Sequence, residues 1–214
     1  MKKHKVKEVR NLTSSTFVVR LERNGMVFQT GQFVLVGTKG AVERREYSIY
    51  SGENDDFLEV LVREVEGGKV SAKLKKLKAE DTLDVDGPFG FFKFDPETFQ
   101  NQKFLFIATG TGISPFHGFV KTYPELNYQL IHGVRFAEEA YDHADFDEKR
   151  IVLCTSGDKQ GGFKGRLTAF IQEQEIDNET NCFLCGNSEM IYEVFDILTA
   201  KGVSTSNIYS EVYF

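Results

Sequence analysis

The stretch from Phe104 to Pro115 most constrains how this chain can fold. Five apolar residues, Phe104 to Ala108, are followed by Thr109-Gly110-Thr111-Gly112 and then by Ile113-Ser114-Pro115. An apolar run without alternation describes a strand buried on both faces, as in a parallel sheet covered by helices. The proline predicts a helix beginning at Pro115. A glycine turn leading into a helix offers main-chain N–H groups and a positive dipole end, and its glycines let a pyrophosphate approach the backbone. The three-glycine dinucleotide fingerprint is incomplete, because the third glycine is missing. Taken alone, the stretch also reads as a plain strand-to-helix turn.

The residues after it repeat this grammar. Tyr128–Val134, Ile151–Cys154, Asn181–Leu184 and Ile208–Phe214 read as strands, and helices are predicted at Glu138–Phe146, Leu167–Glu173 and Ser188–Lys201. In the last, Ser188 is the expected cap, Met190, Ile191, Val194, Ile197 and Leu198 form the apolar stripe, and Gly202 ends the helix. Before residue 95 the pattern differs. Val6–Arg10, Thr16–Leu21, Phe33–Val36, Arg44–Ser51, Phe57–Val65 and Thr82–Val85 are short strands. They are separated by turns such as Asn24-Gly25, Gly67-Gly68 and Gly87-Pro88-Phe89-Gly90, with one helical spacing at Val70, Leu74 and Leu77. That pattern implies a small antiparallel barrel. With Asp95-Pro96 as a breaker, the chain reads as β followed by α/β: a barrel over 1–97 and a parallel-sheet, Rossmann-like domain over 98–214.

Composition narrows the function. A net charge of -6 argues against nucleic acid as a partner. No apolar run approaches the roughly 20 residues that span a bilayer, and no apolar segment follows the basic N-terminus. No membrane association or signal peptide is therefore expected, and the cytoplasm is the expected compartment. Cys154, Cys182 and Cys185 form no disulfide framework, which suits a reducing environment. Cys182 and Cys185 lie three apart in an apparent strand and so face opposite sides, and His4, His117, His132 and His143 show no ligand spacing. No metal is expected, and the thiolates an iron–sulfur cluster needs are too few.

A second stretch carries chemistry. Between Arg44 and Ser51 the chain packs two arginines, two tyrosines and two serines, with Arg45, Tyr47 and Ile49 on one strand face and Glu46, Ser48 and Tyr50 on the other. A cation, a flat ring and a hydroxyl in close order suit a flat, charged cofactor, although each residue alone is compatible with a structural strand. Gly67-Gly68-Lys69-Val70-Ser71 is a possible second anion cradle, and Ser71 also fits as a helix cap.

Together these motifs resemble the ferredoxin–NADP⁺ reductase family along nearly the whole chain. The matches, in order, are Arg45-x-Tyr47-Ser48, Gly68 to Ser71, Gly87 to Gly90, Gly110 to Pro115, Cys185-Gly186-Asn187 and Glu211-Val212-Tyr213. The resemblance implies a barrel that binds FAD and an α/β domain that binds NAD(P). It also implies that Tyr47 stacks on the isoalloxazine, Ser48 hydrogen-bonds near flavin N5, and Arg45 neutralises the pyrophosphate with Lys69, Val70 and Ser71. Glu46, Val62, Arg63 and Glu64 would line the same cofactor. Thr111 would lie between flavin and nicotinamide, flanked by Gly110 and Gly112, with Cys185 and Gly186 against the nicotinamide. Glu211 would lie on the proton path, and Tyr213 or Phe214 would cover the flavin. Ser48, Cys185 and Glu211 are the expected catalytic residues. For Cys185 a small buried packing role is the alternative.

Arg135 and Arg166 match positions that supply 2′-phosphate-binding arginines in bacterial relatives. The strand end departs from the family: it reads Cys154-Thr155-Ser156-Gly157 where NADP-dependent relatives often carry Ser-Arg, which leaves Ser156, with Lys159 or Lys164, as the expected phosphate partner there. NADPH is the expected nicotinamide, with NADH possible. The implied activity moves electrons between NADPH and ferredoxin or flavodoxin through FAD. An acidic carrier would dock on the cluster Lys69, Lys73, Lys75, Lys76 and Lys78, which as a solvated helix face would have no such role. A monomer is expected. The alternatives are a reductase component of an oxygenase, a free-flavin reductase, or a non-enzymatic flavin- or nucleotide-binding regulatory module. The electron-transfer subunit of dihydroorotate dehydrogenase is similar too, but carries a Cys-rich cluster site near its end that this sequence lacks.

Overall fold

A computed structural model describes residues 2–93, 102–158 and 160–213. The expected domain boundary at 97/98, Lys159 and Phe214 lie outside the described residues. The described residues form two compact units, one from residues 1–94 with Ser114–Tyr123 and the other from residues 95–113 with 124–214.

The first unit is built on six antiparallel strands: β1 Lys2–Asn11, β2 Thr16–Glu22, β3 Phe33–Thr38, β4 Arg45–Ser48, β5 Phe57–Arg63 and β6 Thr82–Phe89. Their order is β4-β3-β6-β1-β2-β5. The two ends of this order meet through a bridge between Ile49 and Val60 and a 2.8 Å hydrogen bond from Tyr50 N–H to the Glu59 carbonyl. The sheet therefore closes into the expected barrel, which leaves few unpaired strand edges. Phe17, Val19, Leu21, Val34, Val36, Val60, Val62, Leu83 and Val85 fill it, with Tyr47 packed against this core.

Several expectations are corrected here. The strand at Thr82 continues through Gly87 and Pro88 to Phe89 rather than stopping at Val85. The helix expected over Val70–Leu77 is only one turn, α1 Ser71–Leu74. Beyond Lys75, the N–H groups of Lys76 and Leu77 bond three residues back, to Lys73 and Leu74, so the helix tightens and ends. Ser71 is its first residue and not its cap. The Ser71 hydroxyl accepts from Val65 N–H at 3.1 Å, satisfying a donor beyond the end of β5.

A longer helix, α2 Ser114–Thr122, packs in this unit against the segment that follows β4. The His117 ring stacks on Tyr50 at 3.8 Å and 8°, and its Nδ1 donates to the Tyr50 carbonyl at 2.6 Å. Thr122 Oγ1 accepts from Glu53 N–H, and the Glu53 carboxylate accepts from Tyr123 Oη and from the N–H and hydroxyl of Thr30.

The second unit holds six parallel strands: β7 Phe104–Thr109, β8 Tyr128–Val134, β9 Ile151–Thr155, β10 Phe163–Lys164, β11 Asn181–Asn187 and β12 Ile208–Tyr213, in the order β10-β9-β8-β7-β11-β12. Helices α3 Leu167–Glu173 and α4 Ser188–Ala200 cover one face, burying Leu167, Ile171, Ile191, Val194 and Leu198 against Leu105, Ile107, Ile131, Cys182 and Leu184. The other face is aromatic: Phe106 meets Tyr128 at 5.6 Å and Phe183 at 6.1 Å, and Phe183 stacks on Tyr209 at 4.5 Å. Among the described residues no helix is long and apolar enough to cross a membrane.

Two helix expectations differ in this unit. Glu138–Phe146 is not an α-helix but two 3₁₀ turns, Ala137–Glu139 and His143–Asp145. Glu139 turns inward to accept the N–H groups of Arg135 and Phe136, and Asp142 sits at φ +46°, which breaks a helical path. The cap of α4 is Asn187, whose Oδ1 accepts Met190 N–H at 2.9 Å, and Ser188 is the first helical residue. Replacing Asn187 with Ala should therefore cost about 1 kcal/mol in chemical denaturation, whereas Ser188→Ala should stay within about 0.5 kcal/mol. The reverse ranking would restore Ser188 as the cap.

Candidate active site

In the barrel unit, β4 places Arg45 and Glu46 in solvent, Tyr47 half-buried and Ser48 buried. Burial pushes the Tyr47 phenol up to about 12, while the charge of Arg45 acts the other way, so this ring is neutral across the physiological range. Just before β4, Glu43 pairs with Lys69 at 2.8 Å. The Lys69 hydrogen bond, and the charges of Lys69, Lys73 and Arg45, hold the Glu43 carboxyl below its usual range. The strand and the Gly67–Ser71 turn are thus neighbours, and three cations converge on one carboxylate. This donor set fits a diphosphate: fixed charge from Arg45, Lys69 and Lys73 beside a tight main-chain turn closed by Gly68 N–H to the Val65 carbonyl at 2.8 Å.

Other expected flavin residues fall into two kinds. Arg63 and Lys69 are exposed, whereas Val62 and Val70 bury their side chains in the barrel core, leaving only their main chain to meet a ligand. Glu64 is occupied: its carboxylate holds Lys75 Nζ at 2.5 Å, and the same ammonium donates to the Ser14 carbonyl at 2.5 Å. Lys75 is therefore a brace from α1 to the β1–β2 turn and the end of β5. Lys73, Lys76 and Lys78 stay exposed.

In the parallel-sheet unit, the expected residues collect at the C-terminal ends of β7 and β11. These are neighbouring strands from which the order runs outward in both directions, through β8 to β10 on one side and to β12 on the other. Such a switch point opens a crevice at the strand ends, where open α/β sheets bind ligands. Two glycines shape it. A Cβ on Gly112 would lie 2.3 Å from the Cys185 carbonyl oxygen, and one on Gly186, at φ +144°, would lie 2.1 Å from Thr109 Oγ1. Only main chain fits at this crossing. Thr111 is half-buried at its mouth.

β11 and β12 run in register, pairing Phe183 with Tyr209, Cys185 with Glu211 and Asn187 with Tyr213. In-register partners share a face, so Cys185 lies between the Glu211 carboxylate and the Tyr213 ring. Burial first, then the Glu211 charge, raises the Cys185 thiol well above its ordinary value, and a hydrogen bond with Tyr213 partly opposes them. Cys185 is therefore a neutral thiol and not a thiolate nucleophile. Cys182, three residues earlier, belongs to the opposite face and packs among Leu105, Leu184 and Met190, so the two thiols do not form a pair.

Arg135 and Ser156 follow the in-register ends of β8 and β9, Val134 and Thr155. Both are exposed, and Gly157 N–H ties the two loops by donating to the Arg135 carbonyl at 2.7 Å. Arg166 is exposed one residue before α3. Lys159 and Phe214 lie outside the described residues. The sequence reading missed two carboxylates in this region. Glu139 accepts the N–H groups of Arg135 and Phe136, and Asp158 accepts those of Ala137 at 2.6 Å and Gln160 at 3.1 Å. It also missed the buried His132, whose ring spans between the Gly110 carbonyl and His143. No periodicity marks any of these, because the contacts are made to main-chain groups of irregular loops or between segments that meet only in the fold.

Two domain families match this chain: the Oxidoreductase FAD-binding domain over residues 3–94 and the Oxidoreductase NAD-binding domain over residues 106–195. A ferredoxin–NADP reductase of Pseudomonas aeruginosa is 33% identical, with 94% of this chain and 90% of that protein aligned. The toluate 1,2-dioxygenase electron transfer component of Pseudomonas putida is 27% identical over 97% of this chain, which spans 66% of that relative's length, just under two thirds. Among solved structures, a ferredoxin NADP⁺ reductase from Neisseria gonorrhoeae with bound FAD and NADP superposes with a TM-score of 0.87 at 25% identity, covering 100% of this chain and 98% of that one. With an FAD-binding domain, an NAD-binding domain and a relative of this identity aligned almost end to end, the chain belongs to the ferredoxin–NADP reductase family.

Proposed function

We propose that this protein is an FAD-dependent reductase that moves electrons between NADPH and ferredoxin or flavodoxin. The observation that carries the reading is the placement of Gly110–Gly112 and Cys185-Gly186 at the switch point of the parallel sheet, where a nucleotide can lie on bare main chain. FAD, when bound, supplies the chemistry that accepts a hydride and releases electrons singly. The chain's own residues bind and orient. Tyr47 would offer the flavin a neutral, flat ring, and the Ser48 hydroxyl would serve it as a hydrogen-bonding group. Arg45, Lys69 and the N–H groups of the Gly67–Ser71 turn would hold the diphosphate. Cys185 would leave room for a nicotinamide ring as a protonated thiol, with the Glu211 carboxyl beside it for proton movement.

Nicotinamide choice follows from the cluster at the β8 and β9 ends. Arg135 and Arg166 supply fork-shaped cations, and Ser156 a hydroxyl, for a 2′-phosphate. Arg135→Ala should lower kcat/KM for NADPH about ten-fold and leave that for NADH nearly unchanged, because only NADPH carries the extra charge. An equal loss for both nucleotides would remove Arg135 from phosphate recognition, and a wild-type preference for NADH would overturn the choice of NADPH.

For the protein partner, the exposed Lys73, Lys76 and Lys78 are the docking cations, while Lys75 is committed to Glu64. Reversing Lys76 and Lys78 to Glu should raise the KM for a ferredoxin or flavodoxin several-fold at low salt and flatten its ionic-strength dependence, without loss of FAD. Lys75→Met should instead reduce FAD retention, measured as flavin per protein after gel filtration. Unchanged acceptor kinetics in the double reversal would make the cluster a solvated face. The similarity to a dioxygenase electron transfer component favours a second reading, in which the protein is the reductase component that serves an oxygenase.

A further inference from the structure

Resting on the nucleotide site proposed above, we infer that His132 and His143 form a positioning pair that fixes the Gly110–Thr111 peptide of the nucleotide turn. His132, on β8, is fully buried, and its Nε2 lies 2.9 Å from the Gly110 carbonyl oxygen. A carbonyl only accepts, so Nε2 carries the hydrogen. The neutral ring then presents Nδ1 as an acceptor. The atom facing it, at 2.8 Å, is His143 Nε2, which must in turn be the donor. Among neutral rings, one arrangement satisfies both contacts: each is protonated at Nε2. Burial, with the neighbouring His143, lowers His132 to about 3, and burial lowers His143 to about 4 against the opposing charge of Asp142, which agrees with this arrangement.

The object held is a glycine peptide at the start of the 3₁₀ turn Gly110–Ile113. Gly110 sits at φ +53°, with no atom within 4 Å of where its Cβ would be, so no side chain of its own adds to what the main chain fixes. Pinning its carbonyl toward β8 turns the Thr111 N–H the opposite way, because the two lie trans across one planar peptide. His132 thus sets the direction of the first donor in the Gly-Thr-Gly turn, and His143 sets the tautomer of His132 from the loop after β8. Neither histidine touches the nucleotide. They act through the turn.

The test compares His132→Leu, which removes the donor, with His132→Gln, whose amide can restore a hydrogen to the Gly110 carbonyl. In anaerobic rapid-mixing reduction of the FAD-loaded protein, the Leu variant should raise the apparent Kd for NADPH about ten-fold, with the limiting reduction rate within about two-fold and flavin content unchanged. The Gln variant should recover most of the affinity. A Leu variant with wild-type affinity, or a Gln variant no better than Leu, overturns the pair. Long-range ¹⁵N spectra of the wild type give a measurement that no variant's folding can spoil: both rings must be neutral Nε2–H tautomers at pH 6, and an Nδ1–H or charged His132 overturns the assignment. If neither NADPH nor NADH reduces the wild type, the function itself fails and the pair's role with it. Wild-type reduction with unaffected variants removes only the pair.

Discussion

Two close approaches govern the nucleotide-binding unit: Gly112 against the Cys185 carbonyl, and Gly186 against the Thr109 hydroxyl. They bring the ends of β7 and β11 closer than any side chain permits. Because β11 and β12 run in register, this approach also fixes where Cys185, Glu211 and Tyr213 stand. The chemistry of Cys185 follows from the same packing. Enclosed by β7 and β12 and facing a carboxylate, it stays a thiol. It offers small volume and no reactive anion.

The barrel depends on a comparable economy of contacts. Closure through Ile49 and Val60 holds the strand that carries Arg45, Tyr47 and Ser48. The segment after it, Ile49–Glu53, is then clasped by α2 through the Tyr50–His117 stack and the Glu53 hydrogen bonds. Charge is distributed by position as well as number. The net charge is negative, yet Arg45, Lys69 and Lys73 gather around Glu43. At the β8 and β9 ends the cation Arg135 stands in a loop whose N–H groups are held by Glu139 and Asp158. Those carboxylates are spent on main-chain donors, which fixes the loop that presents Arg135.

Much of the fold was legible because burial on one or two sheet faces leaves a period in the sequence. The barrel strands showed alternation, and Phe104–Ala108 showed a run buried on both faces. Helix ends and short helices were not. Val70, Leu74 and Leu77 have helical spacing, but Lys75 is drawn to Glu64 and the Ser14 carbonyl, and the turn tightens. Glu138–Phe146 looks helical in composition, but Glu139 finds better partners in the N–H groups of its own loop. At α4, Asn187 and Ser188 are both good caps, and only the strand-to-helix path decides between them. The glycine turn and Cys185-Gly186 were readable as motifs. The histidine pair was not, since residues 110, 132 and 143 meet only after the sheet forms.

The central claim, that the β7–β11 crossing is the nucleotide site, is tested most directly by Gly112→Ala in anaerobic rapid mixing with NADPH, beside the wild type. The added methyl would strike the Cys185 carbonyl and spread the two strand ends. The account predicts that the variant keeps its FAD and is still bleached by dithionite, while its reduction by NADPH slows by about a hundred-fold or more. Reduction by NADPH at the wild-type rate and affinity would contradict it.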